Sequence, residues 1–200
     1  MKKGFTLAEV LITLVIIGVI ASMTIPTLMN STNAQEFRVG LKKAISSLNQ
    51  AMSLNYALDS KSIGDTDLTS ATEIINNLFK KRMSVITTAT SGEGFGAGST
   101  GISNEYCFYT ADGMRFALNY IGATNDTEAG EYYYAYMLID VNGEKGPNTL
   151  TEDAKAPKDT FVATLYGNRV VAGKPGDNTG ASLAAKEIMF DKKQQTATNP

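Results

Sequence analysis

Lys2-Lys3-Gly4-Phe5-Thr6-Leu7-Ala8-Glu9-Val10 opens onto a run that holds no Asp, Glu, Lys or Arg from Val10 to Met29. Its polar members are Thr13, Ser22, Thr24 and Thr27, which a helix in lipid tolerates. Twenty residues at about 1.5 Å each match a bilayer core of about 30 Å, so the stretch reads as a membrane-spanning helix. Lys2 and Lys3 before it predict a cytoplasmic N-terminus and an exported C-terminal part. An ordinary cleaved signal peptide fits less well. The run exceeds the usual apolar core of about 7–15 residues, and no convincing Ala-x-Ala site follows. A generic signal anchor accounts for the run but not for Glu9.

A carboxylate near the start of a lipid-embedded helix is costly, and such groups normally have a partner. Within one chain the ready candidate is the free amine that cleavage before Phe5 would create. In an assembly, a neighbouring copy's N-terminus would supply the same charge. Either pairing neutralises Glu9 away from water. Pro26 removes a backbone donor and crowds the preceding turn, so the helix is expected to kink or open locally there, unless the proline marks the membrane exit. Gly18 and Ser22 form a small-xxx-small pair suited to close helix packing.

This order of residues, a basic leader, glycine, phenylalanine, lone acid and apolar helix, resembles the class III signal sequences of type IV pilins and type II secretion pseudopilins. The resemblance implies cleavage between Gly4 and Phe5 by a prepilin peptidase and N-methylation of Phe5. It also implies assembly roles for Glu9, the fifth mature residue, and for Pro26, the twenty-second. The implied organisation is a leader at 1–4 and a transmembrane, filament-core helix at 5–29. A pilin-like globular domain at 30–190, including the amphipathic half of the helix, and a flexible tail at 191–200 complete it. The fold class is α+β: a long N-terminal helix, hydrophobic then amphipathic, packed against a small antiparallel sheet. The implied function is that of a structural subunit, pseudopilin or pilin, of a type II secretion or type IV pilus-like filament. Its implied partners are prepilin peptidase, other subunits, membrane lipid, and an inner-membrane assembly platform with a cytoplasmic ATPase.

Composition sets limits beside this. The 200 residues carry a formal charge of -2. Loss of residues 1–4 removes two lysines and leaves -4. Mild acidity argues against nucleic-acid binding through bulk charge. Histidine is absent and Cys107 is the only cysteine. No intramolecular disulfide can form, and the commonest catalytic base is missing. Cys107, in an aromatic strand pattern, reads as a small buried hydrophobe. No Ser-His-Asp, Cys-His or zinc-type constellation is present, so the chain does not read as an enzyme. The competing reading is a membrane-anchored extracytoplasmic binding domain with a plain signal anchor.

Residues 34–59 read as an amphipathic helix. Phe37, Leu41, Ala44, Leu48, Ala51, Asn55 and Leu58 recur at spacings of four and three, widened by Ile45, Met52 and Tyr56. Asn55 is the one polar interruption. Joined to the anchor, the helix would run from Phe5 to about Leu58, about 80 Å. Ser70-Ala71-Thr72-Glu73 fits a capping box before Ile74, Ile75, Leu78 and Phe79. Lys80, Lys81 and Arg82 suit the C-terminus of that helix. Thr87–Ser103, rich in Gly, Ser and Thr, reads as a loop. Strands are expected at 105–110, 114–121, 132–141, 160–166 and 169–172, with turns at Asp112-Gly113 and Gly167-Asn168. A short element is expected at 184–190.

Asp140-Val141-Asn142-Gly143-Glu144-Lys145-Gly146-Pro147-Asn148 places oxygen-bearing side chains at alternate positions 140, 142 and 144. Asp153 and Asp159 follow. Hard cations such as calcium take such oxygen sets. No EF-hand is present, since Thr151 occupies the position where that loop needs its glutamate. A tight turn, with Asp140 and Asn142 capping their own backbone, accounts for the same residues. The loop resembles Asp-x-Asn-Gly-x-x-x-Pro-Asn segments of pilin-like proteins, which are often followed by Gly-x-Asp-x-Phe. Here Asp159-Thr160-Phe161 supplies the last part and Pro157 replaces the glycine. Major pseudopilins hold calcium in a C-terminal loop. The resemblance implies Asp140, Asn142 and Asp159 as leading ligands, with Glu144 and Asp153 behind them.

Overall fold

The computed structural model describes residues 4–65, 68–89, 106–178 and 180–190. The chain divides into two compact units, Met1–Glu36 and Phe37–Pro200. Helix α1, Leu7–Asp59, begins in the first and ends in the second, and its assignment continues unbroken through Pro26. In the first unit an 18-residue window reaches a mean hydropathy of 2.3 with none of it buried, long and apolar enough to cross a membrane. The hydroxyls along it turn back onto their own helix. Thr13 donates to Val10 O at 2.8 Å, Ser22 to Val19 O at 2.8 Å, Thr24 to Ile20 O at 3.0 Å and Thr27 to Met23 O at 3.2 Å. Each polar side chain is thereby satisfied without water, which makes the segment compatible with lipid.

In the second unit α1 buries Phe37, Leu41, Ala44, Ile45, Leu48, Ala51, Met52 and Asn55. The expected stripe stops there. Tyr56 and Leu58 are exposed. The sheet is a six-stranded antiparallel meander in sequential order. Its strands are β1 Val85–Ala89, β2 Tyr106–Thr110, β3 Arg115–Asp126, β4 Glu131–Asp140, β5 Thr160–Tyr166 and β6 Val170–Ala172. Phe108, Phe116, Leu118, Met137, Ile139, Phe161 and Leu165 share one core with the α1 stripe. Phe108 stacks between Phe79 and Phe116, with ring centroids at 5.6 and 4.8 Å. The opposite face carries a smaller cluster of Cys107, Ala117, Leu138 and Val162. The architecture is α+β, consistent with a pilin-like fold.

Among the described residues two short helices accompany the sheet. α2, Ala71–Ile74, passes directly into a π turn, Ile75–Phe79. Ser70 caps it, accepting from Glu73 N, while the Glu73 carboxylate reaches Thr69 N at 2.8 Å, one residue before the expected partner. α3, Gly180–Phe190, packs on β5 and β6 and starts four residues earlier than its apolar pattern suggests.

Several expectations need correction. Thr87–Ala89 is strand rather than loop, since Val85 and Ile86 with two threonines make a β-branched run that pairs with β2. Residues 90–103 of that expected loop, and the tail from 191, lie outside the described residues. β3 extends to Asp126, carried past Ile121 by a register shift against β4. A second shift lies between Tyr133 and Ala135, and the Tyr133 and Tyr136 rings meet with centroids 5.6 Å apart.

Candidate functional site

Gly4 and Phe5 precede the first helical turn, and Phe5 is 90% exposed. Thr6 N and Thr6 Oγ1 both donate to Glu9 Oε2 at 2.8 Å, and Glu9 N donates to Thr6 Oγ1 at 3.3 Å. This is a reciprocal capping box that satisfies two otherwise orphaned donors. In the uncut chain Glu9 is therefore held by its own helix start. The Thr6-x-x-Glu9 spacing carries that signal, and reading Glu9 only as an unpartnered acid misses it. Pro26 lies within continuous helix, among exposed apolar residues.

The acidic loop follows β4 directly. Asp140 is fully buried, and its Oδ2 meets the Arg115 guanidinium at 2.6 Å. Its Oδ1 accepts from Asn142 N at 3.3 Å and Gly143 N at 2.9 Å. Burial pushes the Asp140 carboxyl up to about 6, against the opposing pull of Arg115. Asp159 is also fully buried and accepts Asn148 N at 2.7 Å and Thr149 N at 2.8 Å. Asp159 thus pins the far end of the loop beside the start of β5. Gly143 has φ of +70°, and a Cβ there would run into the Gly113 carbonyl oxygen, so glycine is required at this position. Asp153 accepts Lys155 N at 2.8 Å, and Glu144 is exposed.

The expected calcium ligands therefore come together only in part, at Asp140, Asn142 and Asp159, and as folded the set does not fit the ion. The carboxylate oxygens of Asp140 and Asp159 already accept from an arginine and from backbone amides. Among the side-chain oxygens expected to ligate, Asn142 Oδ1 is buried without a hydrogen-bond partner. One such oxygen does not make a shell of about 6–8. Among the described residues no three His, Cys, Asp or Glu side chains are grouped to hold a metal.

Other contacts were not legible beforehand. Gly40 of α1 lets Val141 approach so closely that a Cβ at 40 would lie 2.8 Å from Val141 Cβ. Arg38 donates to Ala154 O at 2.7 Å, and Lys43 pairs with Asp112 at 2.8 Å. The loop end of the sheet is thus fastened to α1 over residues 38–43. Buried Asn55 donates to Leu78 O at 2.8 Å and accepts from Arg82 Nε at 3.1 Å, so Arg82 serves a buried network rather than a helix end. Cys107 is buried and its thiol is pushed up to about 11 by burial, which leaves it inert at neutral pH.

No curated protein and no solved structure matches the chain. Residues 1–25 match the family model described as the Prokaryotic N-terminal methylation motif, the prepilin-type cleavage and methylation segment of pilins and pseudopilins.

Proposed function

We propose that the chain is a structural subunit of a type II secretion or type IV pilus-like filament. The observation that carries this reading is the methylation motif at residues 1–25, continuous with an apolar helix long enough to span a bilayer. The motif implies processing by prepilin peptidase and assembly with other pilin-type subunits. On this reading the precursor sits in the bacterial inner membrane with Lys2 and Lys3 cytoplasmic and the β-sheet unit outside. Cleavage after Gly4 exposes the Phe5 amine, which is methylated. Glu9 then exchanges its Thr6 cap for a neighbouring subunit's amine as helices bury together. The inner-membrane platform and cytoplasmic ATPase drive that step, and the protein itself performs no chemistry. The Asp-x-Asn-Gly loop favours a secretion pseudopilus over a surface pilus.

Intact mass of the protein produced with and without prepilin peptidase tests the reading. Loss of residues 1–4 and gain of one methyl group on Phe5 is expected only with the peptidase. A chain left uncut by an active peptidase overturns it.

A further inference from the structure

We propose that Arg115 is the resident cation of the acidic loop, a guanidinium supplied by β3 where a loop of this composition would otherwise draw in a divalent metal ion. This rests on the loop geometry and is independent of the filament reading. Arg115 and Asp140 are direct cross-strand partners in the β3–β4 register. Strand pairing itself delivers the guanidinium to the carboxylate, with side chains 3% and 0% exposed.

Of the loop's other inward oxygens, Asn142 Oδ1 lacks a hydrogen-bond partner, while those around Asn148 and Asp159 are met by the chain. The Asn148 side-chain amide faces Gly143 O at 2.9 Å and Lys145 O and Asp140 Oδ2 at 3.2 Å, and its nitrogen, with two hydrogens to share among them, is the atom that suits these acceptors. Backbone amides of residues 148 and 149 take both oxygens of Asp159. Each buried carboxylate is thus neutralised or solvated by protein donors. A divalent ion on Asp140 would have to displace those donors beside a guanidinium of like charge. The loop closes on α1 through Val141 against Gly40, so the ion pair positions the loop on the helix as well as neutralising it.

The test is thermal unfolding of the full chain in detergent micelles, with millimolar calcium or with chelator. The wild-type midpoint is expected to be the same in both. A rise of several degrees with calcium overturns the proposal. Arg115→Met is expected to lower the midpoint by about 10 °C or more, because it strands a buried carboxylate. Adding Asp140→Asn to it is expected to recover most of the loss, since the amide keeps the Oδ1 acceptor for residues 142 and 143. An Arg115→Met chain as stable as wild type, or a double variant no better than the single, refutes the assignment. Should Arg115→Met fail to fold, the calcium titration of the wild type and the rescue by the double variant still decide it.

Discussion

Replacing Asn55 with alanine probes the one polar residue in the buried stripe of α1. Asn55 is 1% exposed, and its side chain makes two bonds that leave the helix, to Leu78 O and from Arg82 Nε. Its third bond, to Ala51 O, is local and adds little. The neutral bond to Leu78 O is worth about 1 kcal/mol net, and the charged one about 1.5–3 kcal/mol. Arg82 is partly exposed and keeps Asp59 at 2.8 Å, so the lower end applies. The loss is therefore about 2–3 kcal/mol, with a further fraction for the small void. For a domain of this size that lowers the midpoint by about 5–10 °C. The measurement is thermal unfolding of the full chain, followed by circular dichroism. An Arg82→Met variant and the double variant complete a cycle, and a coupling of about 1–1.5 kcal/mol is expected. A loss under about 0.5 kcal/mol, or single effects that simply add, would refute the argument that Asn55 joins α1 to the π turn.

Tyr166→Phe tests the buried hydroxyl that donates to Asp126 at 2.5 Å. That donation, the largest cause, holds the Asp126 carboxyl below its ordinary value. A lowered folded pKa adds stability above the ordinary aspartate value of about 4 and loses it as pH falls through the folded value. The variant should be less stable by about 1.5–3 kcal/mol at pH about 7, and the gap should shrink in acid; urea midpoints at both pH values check this, and a pH-independent gap would contradict it. Gly40→Ala normally favours a helix by about 1 kcal/mol, but here the methyl meets three Val141 atoms at 2.8–3.2 Å. Overpacking costs about 1–3 kcal/mol, so a net loss of about 1 kcal/mol is expected from urea unfolding, and a gain would show that the loop yields freely. Glu9→Gln keeps the shape of the Thr6 cap and removes the charge. It should leave cleavage and methylation intact and abolish recovery of the protein in sheared filaments; filament yield equal to wild type would remove the role assigned to Glu9.

Much of the fold follows from local pattern. Charge-free length marks the anchor, 3.6-residue periodicity marks the helix from residue 34, and Asp112-Gly113 and Gly167-Asn168 mark turns between β-rich runs. These signals are local because each depends on backbone preference or on one face meeting apolar surroundings. The threonines that end β1 run into a glycine-rich stretch, so composition alone groups them with the loop. Only pairing with β2 makes them a strand. Tyr56 and Leu58 fit the periodic stripe and are nevertheless exposed, since periodicity cannot say how far the covering elements extend.

The site divides in the same way. Gly4-Phe5, Glu9 and the apolar run are contiguous, and their meaning lies in order and spacing, so the sequence by itself determined that this chain carries a prepilin-type start on a membrane-length helix. The acidic loop is different. Its composition favoured a turn yet left a cation open, because which donor meets Asp140 depends on a residue 25 positions earlier. Strand register alone brings Arg115 there, and burial on both sides makes the pairing obligatory. The tertiary structure decided what fills the loop, because charge compensation in a low-dielectric interior is settled by what is near in space and not by what is near in sequence.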